Sequence, residues 1–514
     1  MFDELSAWEE LQAPTEPIKT LNLYPYQDKF ITGCRNARAS VQKRLVAYLP
    51  TGGGKTVVAI GIVKMAQEKG KRVAFVCNRV QLIQQTSENF TAYGIKHGII
   101  QGSNTRDHDA DVVVASIQTL AKRGMDDYDL LILDECHACA GTKAYAEIMR
   151  GKVTVGLTAT PYQKGLGRVV PSLGGPLFES IVAGVTMREL IDTGYLVDAD
   201  VWAPADPDLR GVKTVAGDYQ EDQLGEAMDK AQLVGDIVSH WLKLAPGTQT
   251  MVFAVNIAHS RHICDQFKAN GIAAVHVDYH MTDEEKQAIY ADFKAGRSMV
   301  LCNCALLSEG ADFPACETLI LARPTKSKVR YVQMFGRVLR TSKETGKTRA
   351  TVLDHSGTVK RLGFPWDFSV THLDDGKPKK SSGGDQEKPE PLPKPCPNCH
   401  YMKPPRTPVC PSCGFESRMP NEVETAEGEL VQLRGKKPKA QTRLADMGKP
   451  SVYGQLCQIA KDRQKSEKWI LAQYKGIFGT WPRQEYRLEP PSPELLSWIH
   501  SRNIAWAKSQ RSTA

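Results

Sequence analysis

Residues 49–56 read LPTGGGKT, and further along the chain stands Asp134-Glu135-Cys136-His137. The first segment has the composition of a phosphate-binding loop. Gly52, Gly53 and Gly54, after Thr51, let backbone N–H groups curl around phosphate oxygens without Cβ clashes. A helical pattern follows and points its positive end at the same oxygens. Lys55 is spaced to reach the β- and γ-phosphates, and Thr56 to put its hydroxyl on Mg²⁺. A strict pattern has glycine where Leu49 stands, so the plain alternative is a glycine-rich turn before a helix. The second segment caps the apolar run Asp129–Leu133. Asp134 suits the magnesium shell, and Glu135 suits orienting and deprotonating an attacking water. Alone, an acidic pair at a strand end is usually a solvated loop; behind a phosphate loop it points to hydrolysis of a nucleoside triphosphate.

A second constellation is Cys396-x2-Cys399, ten intervening residues, then Cys410-x2-Cys413, four of thirteen cysteines. Two such turns set four thiolates around one Zn²⁺. The segment is too short for a core of its own, so the metal would supply most of its folding energy. Disulfides are the alternative, and an intracellular ATPase disfavours them. Four ligands close the site, which implies structure or binding rather than catalysis; His400 is surplus. Cys136 and Cys139, and Cys302 and Cys304, read as buried thiols.

These residues need a scaffold. Apolar runs at Arg44–Leu49, Val73–Cys77, Val112–Ala115, Asp129–Leu133 and Val153–Leu157 alternate with helical patterns. After a less regular bridge over 162–228, runs at Met251–Val255, Ala273–Val277, Met299–Cys302, Thr318–Leu321 and Thr351–Leu353 resume the alternation. Strands of this kind between helices predict parallel sheets. The expectation is two nucleotide-binding-type α/β domains with a boundary near 198–210. Residues 376–395 are rich in Pro, Gly and Lys and read as a linker, disordered or extended. In the last segment, Val452, Leu456, Ile459 and Ala460 have helical spacing. Trp469, Tyr474, Phe478 and Trp481 follow, interleaved with Lys461, Arg463, Lys465, Lys468, Lys475 and Arg483. They are either a base-stacking surface or the core of a small helical domain.

At 514 residues the chain exceeds a single core. Its net charge of +8 is uneven. Residues 376–514 hold 24 Lys+Arg against 14 Asp+Glu, and the preceding residues hold 42 against 44. A basic tail favours polyanions through counterion release, unless it is only a solvated surface. No apolar run is long enough to span a membrane. The N-terminus MFDELSAWEE is acidic, unlike a secretory signal, so a cytoplasmic protein without membrane partners is expected.

The ordered segments resemble superfamily two helicases of the DExH/DECH-box type over roughly residues 21–355. Tyr24-Pro25-Tyr26-Gln27 resembles the adenine-reading glutamine motif. Asn78–Gln85 (NRVQLIQQ) resembles motif Ia, and Ala115–Leu120 (ASIQTL) the next strand-contacting segment. Gly156–Pro161 (GLTATP) resembles motif III, Val252–Asn256 motif IV, Ser308–Pro314 (SEGADFP) motif V and Gln333–Arg340 (QMFGRVLR) motif VI. More narrowly, the DECH variant and trailing cysteine module resemble RadD-type bacterial repair helicases and phage relatives, although Asn78-Arg79 departs from many of them.

The resemblance implies two tandem RecA-like parallel-sheet domains, at 21–200 and 201–375, after an N-terminal extension (1–20). The linker (376–395), a zinc-ribbon-like module (396–416) and a basic, partly helical region (417–514) follow. It implies ATP, Mg²⁺ and Zn²⁺ as cofactors. Gln27 would read adenine. His137, Thr158, Thr160 and Gln333 would couple nucleotide state to closure. Gly310 and Asp312 would lie near ribose and strand. Arg337 and Arg340 would be arginine fingers, for which a planar fork is suited; a basic helix face at i, i+3 is the alternative. The implied function is an ATP-dependent helicase or translocase on nucleic acid, DNA favoured, single-stranded or forked, with a protein partner conceivable through the zinc module or tail. Competing readings are an ATP-switched clamp without unwinding, a restriction-type motor, and a recruitment protein with a vestigial motor.

Overall fold

The computed structural model describes residues 18–39, 43–123, 128–204, 207–215, 217–304, 312–377, 391–416, 444, 447–483 and 485–511. By contacts it divides into residues 1–420 and 421–514.

In the larger unit, an eight-stranded sheet carries, in spatial order, Ser180–Ala183, Arg44–Tyr48, Val153–Thr158, Leu130–Leu133, Val73–Cys77, Val112–Ser116, Gly98–Gln101 and Asn104–Arg106. All its pairings are parallel except the last hairpin. Central strands such as Val73–Cys77 are buried at every position, as a sheet covered on both faces requires. Alternate residues feed two clusters. Ala47, Phe75 and Val114 lie in one, and Val46, Ala74 and Val113 in the other.

The second sheet has six parallel strands: Asp198–Trp202, Arg349–Asp354, Thr318–Leu321, Thr250–Phe253, Val300–Asn303 and Ala274–Val277. Asp198–Trp202 pairs with Arg349–Asp354, so residues 198–200, expected in the first domain, belong to the second sheet. This strand was hidden because its sequence alternates, DADVW, rather than running apolar. It is an edge strand with every second residue buried.

The segments on either side of residues 376–395, the stretch read as a linker, are tied to the motor, and residues 378–390 lie outside the described residues. Before the undescribed stretch, Asp374 accepts backbone N–H bonds from Gly165 (3.0 Å, side chain) and Gly167 (2.8 Å, carbonyl) of the first domain. After it, the cysteine module is docked on the second. Ala203 N donates to His400 O at 2.9 Å, and Tyr401 packs edge-on against Trp202 and donates to Asp200 at 3.2 Å. Met402 is buried in the same cluster as Met251 and Val352. Docking of this kind needs apolar side chains on a segment whose composition is otherwise dominated by Cys, Pro and Lys, and Tyr401 and Met402 are the two that supply it.

Residues 421–514 hold the helices Lys449–Asp462, Glu467–Phe478 and Pro493–Arg511, around Val452, Leu456, Ile459, Tyr474, Ile477, Leu495 and Trp498. Among the described residues no helix is long and apolar enough to cross a membrane.

Candidate nucleotide-hydrolysis site

The phosphate loop leaves the carboxyl end of strand Arg44–Tyr48, where open parallel sheets place ligands. Gly52 and Gly54 are left-handed (φ 84 and 77), a conformation available to glycine at little cost. Gly54 then caps helix Lys55–Gln67. Beside it, Leu130–Leu133 delivers Asp134 and Glu135. Glu135 itself is left-handed (φ 45), which costs a non-glycine residue about 1–3 kcal/mol and persists only where neighbours fix it.

Those neighbours are visible. The Lys55 ammonium is ion-paired to Glu135 Oε1. Glu135 Oε2 lies 3.2 Å from His137 Nδ1 and accepts from Thr158 Oγ1 at 3.5 Å. His137 Nδ1 also lies 3.2 Å from both Thr158 Oγ1 and Thr160 Oγ1, and Thr160 N donates to Thr158 Oγ1 at 3.0 Å. Burial alone would raise the Glu135 carboxyl, but Lys55 and His137 outweigh it and hold it well below the usual carboxylate range. Burial would likewise lower the Lys55 ammonium, and Glu135 and Asp134 keep it above its ordinary value. Both groups are therefore charged at neutral pH. Thr158 and Thr160 are fully buried, so Glu135 is linked to the Gly156–Pro161 segment through their hydroxyls and His137.

A cleft of about 1310 Å³ opens on this network. Thr51, Gly52, Gly54, Lys55, Thr56, Asp134 and Glu135 line it from the first domain, and Asp312, Gln333, Arg337 and Arg340 from the second. The Thr56 hydroxyl and Asp134 carboxylate are hard oxygen donors of the kind Mg²⁺ takes. Gln27, buried, stands behind the loop; its amide donates to Gly53 O at 3.2 Å, and its Oε1 accepts from Tyr24 N at 3.0 Å. Arg340 is ion-paired with Asp312. Helix Lys328–Phe335 ends before either arginine, so Arg337 lies on the turn after it, Arg340 bridges Leu196 beyond that turn, and neither is on a helix face. Gly310 lies outside the described residues.

The halves touch closely. A Cβ on Gly336 would stand 2.5 Å from Thr51 Cγ2, and one on Gly52 the same distance from Leu196 Cδ2. The sequence reading missed Leu196 and its neighbour Tyr195, whose ring packs 4.6 Å from Tyr24 and 5.1 Å from Tyr26. It also missed Lys286 and Lys294 of helix Asp283–Lys294, which bring cations to the same cleft. Tyr195 sat in the irregular bridge; the clustered tyrosines Tyr24 and Tyr26 were the available hint.

Apart from this cleft, Cys396, Cys399, Cys410 and Cys413 have sulfurs within 4.8 Å of one another. Cys396–Cys413 and Cys399–Cys410 stand at 3.8 and 3.6 Å. A tetrahedron with metal–sulfur bonds of about 2.3 Å has edges of about 3.8 Å, whereas a disulfide needs about 2.0 Å. The set is compatible with zinc.

Comparison with known proteins agrees with this arrangement. Residues 20–163 match the family described as type III restriction enzyme, res subunit, and residues 229–342 the helicase conserved C-terminal domain. A 51.5 kDa protein of a Lactococcus phage is 29% identical over 480 residues, covering 88% of this chain and 99% of that one. The putative ATP-dependent helicase IRC3 of Saccharomyces cerevisiae is 30% identical over 340 residues, 62% of this chain and 49% of that one. The chain thus spans nearly all of the phage protein and about half of the yeast one. A fragment of a putative HsdR subunit of a type I restriction enzyme from Vibrio vulnificus shares the fold at TM-score 0.50 and 22% identity, over 71% of this chain and 68% of that one. With both matched families in tandem and their motifs gathered on one cleft, the chain belongs to the superfamily two helicases and is an ATP-hydrolysing enzyme.

Proposed function

We propose that this chain is an ATP-driven DNA translocase or helicase working in repair, recombination or replication. The observation that carries the reading is the shared cleft, in which Lys55 and Glu135 from one domain face Arg337 and Arg340 from the other. In this reading the loop amides and Lys55 hold the phosphates, and Glu135 takes the proton of the attacking water. Mg²⁺, held by Thr56 and Asp134, would neutralise charge on the β- and γ-oxygens. Turnover opens and closes the cleft, and the His137–Thr158–Thr160 bonds carry that motion towards the DNA-facing segments. The kinship with RadD-type repair helicases belongs to the same proposal. ATP hydrolysis measured with single-stranded DNA, duplex, forked DNA and RNA tests it. Stimulation by none of them rejects the motor, and stimulation without strand displacement leaves a translocase or clamp. The match to a restriction res family favours a second reading, a restriction motor, which requires a nuclease or methylase partner to co-purify.

Gln27 is the proposed adenine reader. Gln27→Ala is expected to raise the KM for ATP by about tenfold, the loss of one to two hydrogen bonds, and to narrow the preference over GTP. Unchanged ATP-to-GTP selectivity would reject the role.

We assign one Zn²⁺ to the four cysteines. Because Tyr401 and Met402 are packed into the second domain, metal loss should be felt beyond the module. Chelation, or Cys410→Ser, is expected to lower the melting temperature of the full chain and to expose Trp202 to solvent, seen as a red shift in tryptophan emission. An unchanged melt and spectrum after confirmed metal removal would show the module to be energetically separate.

A further inference from the structure

The four aromatics of the last segment do not share one role. Tyr474 is buried in the helical core, and Trp469 and Phe478 pack against it. Trp481 is 54% exposed. It follows the left-handed Gly479 that ends helix Glu467–Phe478 and opens a strap, described at residues 480–483 and 485–491, laid across helix Lys449–Asp462. The strap approaches so closely that a Cβ on Gly454 would lie 1.9 Å from Arg487 O. Ser451 donates to Glu489, and Ser492 N donates to Gln455 Oε1 at 2.9 Å. The strap is thus fastened by its backbone, by Glu489 and by the Tyr486 side chain, which is hydrogen-bonded to Cys457, and Trp481 is turned outward. Tyr486, 46% exposed, is braced edge-on by Tyr453 at 4.7 Å.

Cations frame these rings. The Lys475 ammonium lies 4.5 Å from the Trp481 ring centroid. Arg483 and Arg487 are exposed on the strap, and Lys461, Arg463, Lys465 and Lys468 are exposed around the turn between the two helices. Of the nearby acids, Asp462 is bonded by Gln458 and Glu489 by Ser451, while Glu467 and Glu485 stand exposed among the cations. Residues 447–511 hold 11 Lys+Arg against 5 Asp+Glu. Exposed rings cost free energy in water, and a protein-binding patch would deplete lysine at its centre. A cation-rimmed pair of rings matches a polyanion that also offers flat apolar faces. Duplex DNA hides those faces in its stack; a single strand presents them.

We infer that the strap is a binding site for single-stranded nucleic acid, separate from the ATP cleft, with Trp481 and Tyr486 stacking on bases and Lys475, Arg483 and Arg487 neutralising the backbone. Stacking tolerates any base, so the site grips without sequence preference. It does not require ATP turnover, and its test is independent of the motor reading.

The test uses the full-length chain without nucleotide. Affinity for a fluorescent 20-nucleotide oligo-dT and for a 20-base-pair duplex is measured for wild type, Trp481→Ala, Trp481→Phe and Lys475→Ala. Loss of one stacked base is expected to weaken oligo-dT binding about tenfold in Trp481→Ala. Trp481→Phe should recover most of it, and duplex affinity should stay within twofold. Lys475→Ala should lower the salt dependence of oligo-dT binding. A bromodeoxyuridine-containing strand should photocross-link to the peptide carrying Trp481 or Tyr486. Oligo-dT affinity within twofold of wild type in Trp481→Ala, with no cross-link on the strap, overturns the inference. An equal loss for duplex overturns stacking. Loss of a co-purifying protein with oligo-dT binding intact makes the strap a protein-docking surface instead.

Discussion

Glu135→Gln should still bind ATP but turn it over about 10²–10⁴-fold more slowly, the contribution of a positioned general base. Glutamine keeps the shape of the side chain and offers an oxygen to Lys55 and Thr158, the partners that hold this left-handed residue in place. It cannot accept the proton of water. Glu135→Ala is a poorer experiment. It would take from Lys55, mostly shielded from solvent, its ion-pair partner and leave only the more weakly acting Asp134, and breaking a buried pair from one side costs up to about 3–5 kcal/mol. The prediction therefore separates chemistry from folding: the glutamine variant melts like wild type and traps ATP, and the alanine variant melts early. Before nucleotide binds, Lys55 and His137 hold Glu135 ionised. Hydrolysis at the wild-type rate by the Glu135→Gln enzyme would place the base elsewhere.

The parts of this machine that the sequence revealed are those where local chemistry is self-contained. Val73–Cys77 and Thr318–Leu321 read as strands because a doubly covered parallel strand is apolar throughout. Lys55-Thr56 and Asp134-Glu135 read as a pair because each type is needed at a strand end. Where position depends on partners distant in sequence, the residues were silent. Ser180–Ala183 is a half-buried edge strand whose place beside Arg44–Tyr48 is settled only by pairing. Leu196 packs on Gly52 and Tyr195 on two other tyrosines, contacts that leave no periodic trace. The cysteine knuckles were legible from spacing, but their docking rests on Tyr401 and Met402, two apolar residues in a polar stretch. The interleaved aromatics of the tail left two readings open, and burial divided them residue by residue.

The second large effect concerns Arg337. It lines the cleft from the second domain, mostly buried, and directly follows Gly336, the residue that rests on Thr51 of the phosphate loop. Arg340 stands three residues further on and is ion-paired with Asp312. Arg337 is therefore the stronger candidate to meet charge developing on the transferred phosphoryl group. Arg337→Ala is expected to slow hydrolysis by about 10³–10⁵-fold while ATP affinity changes little, since a finger acts on transition-state charge. Arg337→Lys should rescue poorly, because an ammonium lacks the planar fork. Arg340→Ala should cost less and should also disturb Asp312. The mechanism carries its own control at a residue with no charge. Gly336→Val puts a side chain where Thr51 already stands and wedges the domains apart. If Arg337 acts only across a closed cleft, that wedge should slow turnover about as much as removing the arginine, and combining the two changes should add little. Full additivity, or Arg337→Ala turning over within tenfold of wild type, would mean that Arg337 does not reach the phosphates from the second domain.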